Sequence, residues 1–132
     1  MNRRNFIQSS SLAGLSALAF PGLGMKAFKD MEVKKLTSGP NHHWFGYYDK
    51  LQMDPSGQYV LGMEVDFCFR SPTARDFVKI GFIDLNNNYK WTQIGTSRSW
   101  GWQQGCMLQW RPGSSEEILW NDRITDRFVT KI

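Results

Sequence analysis

The stretch Phe77-Val78-Lys79-Ile80-Gly81-Phe82-Ile83-Asp84, followed by Leu85-Asn86-Asn87-Asn88 and residues 90–96, decides the fold class. Val78, Ile80 and Phe82 alternate with Lys79 and Gly81. A period of two puts one side-chain set in a core and the other toward solvent. The Asn-rich run reads as a turn, and residues 90–96 as the returning strand. Upstream, residues 59–66 form a strand with β-branched Val60 and Val65, and residues 71–76 a loop. Asp54-Pro55-Ser56-Gly57 is a turn in which Pro presets φ and Gly accepts a positive φ. Residues 43–49 read as the first strand. Past residue 25 no window holds helical spacing for more than two turns, so the expectation is all-β.

Four consecutive antiparallel strands in about 55 residues match one blade of a β-propeller. The pattern then restarts. Residues 105–110 read as a strand, Arg111-Pro112-Gly113-Ser114 as a turn and residues 117–121 as a strand. Setting Pro55-Ser56-Gly57 against Pro112-Gly113-Ser114 gives a period of about 57 residues. The expectation is therefore a blade over residues 39–98 and part of a second over 99–132. Thr130-Lys131-Ile132 reads as strand, so the expectation extends to a chain that is the N-terminal part of a longer gene product. Open blade edges would leave it poorly stable alone.

Before this region lie two other segments. Arg3-Arg4-Asn5-Phe6-Ile7 precedes a weakly apolar run, Ser9 to Gly24, rich in Ser, Ala and Gly. The run is too short and too polar for a membrane-spanning helix and fits an export-signal core. The arginine pair with Phe6 and Ile7 resembles the bacterial twin-arginine signal. The resemblance implies passage through that export machinery and a periplasmic or secreted destination. Asn2 and Gln8 depart from the usual pattern. Residues 25–38 are a polar lead-in.

Composition narrows the function classes. Hydrophobic residues make up 41% and charged residues 21%, as in globular proteins, which excludes a disordered tail or a multi-span membrane protein. The net charge is +4, but without Arg3 and Arg4 the balance is 14 basic against 12 acidic residues. No block of five Lys/Arg exists, which argues against nucleic-acid binding. Aromatic residues reach 14%, with 6 Trp, which suits β-structure or a sugar-binding surface.

Three segments together, residues 39–50, 100–110 and 120–122, resemble exported bacterial β-propellers of polysaccharide-degrading systems. Oligogalacturonate lyases and ulvan-type lyases belong to that architecture. The resemblance covers residues 39–123 and implies an acidic polysaccharide ligand and lyase chemistry in the complete protein. The alternative is a non-catalytic propeller that binds carbohydrate or protein.

The candidate catalytic residues are His42, His43, Tyr48 and Arg70. His and Tyr suit β-elimination, one removing the proton α to a uronate carboxylate and one protonating the leaving oxygen. A cation such as Arg70 would neutralise the carboxylate. On a regular strand His43, Phe45 and Tyr47 share one face, and His42, Trp44, Gly46 and Tyr48 the other. The candidate substrate-binding residues are Trp100, Trp102, Gln103 and Gln104, whose rings stack on sugar C–H surfaces and whose amides bond hydroxyls. A purely structural role, Trp wedged between blades and His in loop hydrogen bonds, stands beside each of these readings. Cys68 and Cys106 are expected as two buried free thiols rather than a disulfide or a zinc set. No metal ligands are assigned, although a divalent metal in the complete protein stays open.

Overall fold

The computed structural model describes residues 32–132; the export signal expected over residues 1–24 lies outside them. The described residues contain seven strands and no helix, so none could cross a membrane as a helix. The strands are β1 His42–Trp44, β2 Tyr59–Val65, β3 Val78–Asp84, β4 Lys90–Ser97, β5 Gln109–Trp110, β6 Ile118–Ile124 and β7 Arg127–Lys131. They form two antiparallel meanders, β1-β2-β3-β4 and β5-β6-β7.

The alternation along β2 and β3 sorts the first sheet into two faces. Leu61 pairs with Phe82, and Met63 with Ile80, so these side chains emerge together with Val65 and Val78. This face carries the core, packed against Trp110 of the second sheet and against Cys106 and Leu108 in the segment that leads into β5. Burying each large apolar side chain contributes about 1.5–3 kcal/mol. The other face carries Val60, Gly62, Glu64, Lys79, Gly81 and Ile83 by register. The Trp91 ring lies over the paired glycines: a Cβ on Gly81 would stand 2.8 Å from that ring. Only residues without side chains let the indole lie so close to the sheet.

The turns obey their sequence chemistry. Asp54 O accepts from Gly57 N at 3.0 Å, and Gly57 has a φ of +72°. The carboxylate of Asp54 also accepts from the backbone of Ser56 and Tyr59, at 3.0 and 2.7 Å, and from the Ser56 hydroxyl. Ser114 N donates to Arg111 O at 3.0 Å, with Gly113 at a φ of +81°.

Two expected strands are much shorter than anticipated. The first ends at Trp44 instead of running to 49, because the chain turns, with Lys50 N donating to Tyr47 O at 3.2 Å. The expected sharing of faces by His and Tyr along that strand therefore fails. The segment expected at 105–110 is a strand only at Gln109–Trp110, since Gly105 and Met107 adopt φ values of +59° and +57°. The strand expected at 117–121 runs further, over Ile118–Ile124, and turns into β7.

The two sheets repeat one plan. Leu51-Gln52-Met53 and Leu108-Gln109-Trp110 stand 57 residues apart. Met53 bridges to Val60 as Trp110 pairs with Ile118. Each second strand carries a buried acid near its end that is held by a lysine. Glu64 accepts from Lys79 Nζ at 2.6 Å, and Asp122 lies 2.6 Å from Lys131 Nζ. The sheets are stitched by Trp110 N to Leu51 O at 2.9 Å, Ser97 Oγ to Asn121 O at 2.6 Å and Arg98 N to Asp122 Oδ1 at 2.8 Å.

Candidate functional site

The loop of residues 66–77 between β2 and β3 is organised by one carboxylate. Asp76 accepts two bonds from the Arg70 guanidinium, both at 2.8 Å, and bonds from Thr73 N and Oγ1 at 2.7 and 2.8 Å. The Arg70 hydrogen bonds, then those from Thr73, hold the Asp76 carboxyl far below the usual carboxylate range, and burial opposes them only weakly. A bidentate guanidinium–carboxylate pair is geometrically demanding, so it fixes the loop's shape. The Arg70 guanidinium also stacks 3.5 Å from the Phe67 ring centroid.

Against this loop sits an aromatic cluster. Trp44 lies 5.7 Å from Trp100 and 5.2 Å from Trp102, centroid to centroid, and Trp100 and Trp102 meet edge to face at 5.3 Å. Phe67 adds an edge contact to Trp102 at 5.5 Å. Trp102 Nε1 donates to Arg70 O at 2.7 Å and Trp100 Nε1 reaches Asp76 O at 3.5 Å. Both indoles thus clamp the loop, as buried aromatic donors generally require a partner. Trp44 Nε1, in the same cluster, is buried without one. Phe67 and Trp44 were not among the expected site residues. The clustering of aromatics around residues 44, 67 and 100–102 is the only signal that points to them.

Gln103 and Gln104 project into solvent from the adjacent turn. They border an open depression of about 450 Å³ together with Trp100, Trp102, Met107 and Asn121. The turn touches the loop that follows β1. A Cβ on Gly46 would come within 2.6 Å of Gln104 O, and one on Gly105 would collide with the Met63 side chain. The two glycines let the loops carrying Tyr48 and Gln104 meet over the core. Tyr48 is exposed and stacks on Tyr47 at 4.7 Å.

The two histidines part company. His42 is exposed and pairs with Val65, on the face that carries Trp44. His43 pairs with Glu64 on the opposite face, its side chain nearly covered. His43 Nε2 stands 2.9 Å from Glu64 Oε2 but is not aligned for a hydrogen bond, and its ring meets Trp91 edge-on at 5.0 Å. Burial pushes the Glu64 carboxyl up. Hydrogen bonds from Lys79 and Asn41, with the charges of Lys79 and His43, outweigh that and leave it lowered.

The structure therefore gathers Trp100 and Trp102 with Arg70, and Gln103 and Gln104 with the Tyr48 loop. It separates His43 from all of these. Both cysteines are free, but only Cys106 is buried; Cys68 is half-exposed, which corrects the expectation of two buried thiols. Burial pushes the Cys106 thiol up to about 12. Among the described residues no three His, Cys, Asp or Glu side chains are grouped to hold a metal ion. No family model, curated protein or solved structure matches the chain.

Proposed function

We propose that this is an exported, propeller-type protein that binds acidic carbohydrate at the rim built from residues 66–77 and 99–105. In this reading the first sheet is a blade and the second sheet part of the next. The twin-arginine-like segment at Arg3-Arg4 sends the protein to the periplasm or beyond. The observation that carries the binding site is the rigid Trp100–Trp102–Phe67–Arg70 assembly beside exposed Gln103 and Gln104. It supplies apolar ring surface next to amides that bond hydroxyls, which is what a pyranose presents. Asp76 takes up the charge of Arg70, so preference for an acidic sugar rests on Arg75 and Arg123 at the same loop. Arg75 belongs to the loop, and Arg123 Nη2 donates to Ala74 O at 3.1 Å.

Lyase chemistry in the complete protein is the second reading, and the exposure of His42 and Tyr48 favours it. His43 and Arg70 support it less, since each is engaged by a carboxylate. The discriminating experiment titrates oligogalacturonate into the protein and follows tryptophan fluorescence and the ultraviolet absorbance of unsaturated product together. Binding without product supports the non-catalytic reading. Product that disappears with His42→Ala supports the lyase. Neither signal for any uronate polymer sinks both.

A further inference from the structure

Phe69, in the loop between β2 and β3, is fully exposed, and its φ is +61°. The left-handed region is sterically costly for a bulky side chain. Full exposure gives no apolar burial to offset that cost. Among the described residues four other non-glycines share this backbone region. Asn88, Tyr89 and Thr125 stand in the tight turns between β3 and β4 and between β6 and β7. Met107 and Phe69 belong to no hairpin turn, and each lines an open depression at the rim. Backbone strain of this kind persists only where the surroundings enforce it, and it gathers at ligand-binding sites.

The surroundings of Phe69 do enforce it. The Arg70 guanidinium is bidentate on Asp76, and its Nη1 also donates to Ser71 O at 3.2 Å. The Arg70 carbonyl accepts from Trp102 Nε1 at 2.7 Å. On the other side Phe67 stacks on the Arg70 guanidinium and meets Trp102 edge-on. Phe69 is therefore presented to solvent on a fixed base.

Phe69 and Trp102 are the two rings of a depression of about 430 Å³, which Cys68, Arg70 and Ser71 complete. Trp102 also lines the depression of about 450 Å³ that Gln103 and Gln104 border. The two depressions thus share a wall. Neighbouring units of an oligosaccharide are joined through a single oxygen, so sites with a common wall suit successive units of one sugar chain. The first site offers amides to hydroxyls. The second offers an exposed ring to the apolar face of a pyranose, with the Ser71 hydroxyl alongside.

We propose that Phe69 and Trp102 form a second sugar subsite beside the one bordered by Gln103 and Gln104, so that the rim takes an oligosaccharide of at least two units rather than a single sugar. The inference rests on the carbohydrate reading and extends it to the length of the ligand. Phe69 serves contact with the ligand and not the packing of the fold.

The test is calorimetric titration of galacturonate, its dimer and its trimer into the full chain, wild type and Phe69→Gly. Glycine adopts a positive φ without strain, so this change removes the ring and keeps the loop. The trimer should bind wild type at least about tenfold more tightly than the monomer. Phe69→Gly should weaken the trimer at least about fivefold, while its melting temperature does not fall. Phe69→Tyr, which keeps a ring, should bind within about twofold of wild type. A readout that needs no variant is thiol labelling of Cys68 in the same depression, which bound trimer should slow at least about fivefold. A Phe69→Gly protein that melts lower and binds unchanged makes Phe69 structural and overturns the proposal. Equal affinity for monomer and trimer overturns it as well, as does unhindered labelling of Cys68 under bound trimer. A wild type that binds trimer through Gln103 and Gln104 but is indifferent to Phe69→Gly keeps the carbohydrate reading and loses the second subsite. A wild type that binds no uronate of any length removes both.

Discussion

Truncating Leu108 and Leu51 to Ala in separate proteins probes the same repeat position in two environments. Leu108 is 2% exposed between the sheets, while Leu51 is 51% exposed. Leu→Ala removes about three carbons, or roughly 2.4 kcal/mol of transfer free energy at ~0.8 kcal/mol each for full burial. At Leu108 a cavity is added, since backbone on both sides is held by the inter-sheet bonds, so the total falls at about 3–4 kcal/mol. At Leu51 only about half the transfer contribution applies and no cavity forms, so the cost is about 1 kcal/mol. Urea unfolding of the full chain, followed by tryptophan fluorescence, reads both. With a slope of about 1.4 kcal/mol/M, Leu108→Ala should lower the midpoint by roughly 2–3 M and Leu51→Ala by under 1 M. Equal shifts would refute the asymmetry. A Leu108→Ala shift below about 0.7 M would show that the sheets do not share a core.

Three further outcomes follow from the structure. Asp54, Glu64 and Asp122 all have carboxyls held below their ordinary values, each against a burial effect that pushes the other way. Their stabilisation is fully present above the unfolded range near about pH 4 and is lost as pH falls through the lower folded values. The melting temperature should stay level from neutral to about pH 5 and drop below it, and a level profile down to about pH 2.5 contradicts this. Gly105→Ala, which sets a Cβ at a φ of +59° against the end of the Met63 side chain, should destabilise by about 1–2 kcal/mol in the same urea assay, chiefly through the left-handed backbone, and a loss under ~0.5 kcal/mol contradicts that strain. Native protein should react with a thiol reagent at Cys68 and not at Cys106, whose thiol is buried and whose pKa is raised, as read by mass spectrometry of labelled peptides. Two labels at comparable rates would show that the inter-sheet core opens readily.

The parts of the fold that were legible in the sequence are those where local pattern and tertiary packing agree. In β2 and β3 the apolar positions fall two apart and one face is buried, so alternation and turn residues locate both strands. The β1 region misleads because His42 to Tyr48 is dense in aromatics, which favour strands, while the backbone must turn at Tyr47 to lay Gly46 against Gln104. Nothing local announces that contact, which lies almost sixty residues away in sequence. Met107 adopts a left-handed φ that its residue type gives no reason to expect, and β5 is cut short as a result. The repeated Leu51-Gln52 and Leu108-Gln109 pairs, three residues ahead of the aligned prolines, do carry the repeat in plain sight. At the site, the aromatic and glutamine residues of 100–104 could be picked by chemistry alone. The engagement of Arg70 by Asp76 depends on loop geometry, whereas the opposite faces of His42 and His43, with Trp44 beside His42, follow from strand alternation alone.

The central claim is that the rim of residues 66–77 and 99–105 binds acidic sugar. Calorimetric titration of oligogalacturonate into the full chain, at low and high salt and against a neutral oligosaccharide of equal length, tests it most directly. The account predicts saturable binding to the acidic sugar that weakens with salt. It also predicts a loss of at least fivefold, about 1 kcal/mol, when Gln103 and Gln104 are both changed to Ala without loss of fold. Equal affinity for the neutral sugar would contradict the role of the arginines, and unchanged binding in the double variant, or no binding by a folded protein, would contradict the site itself.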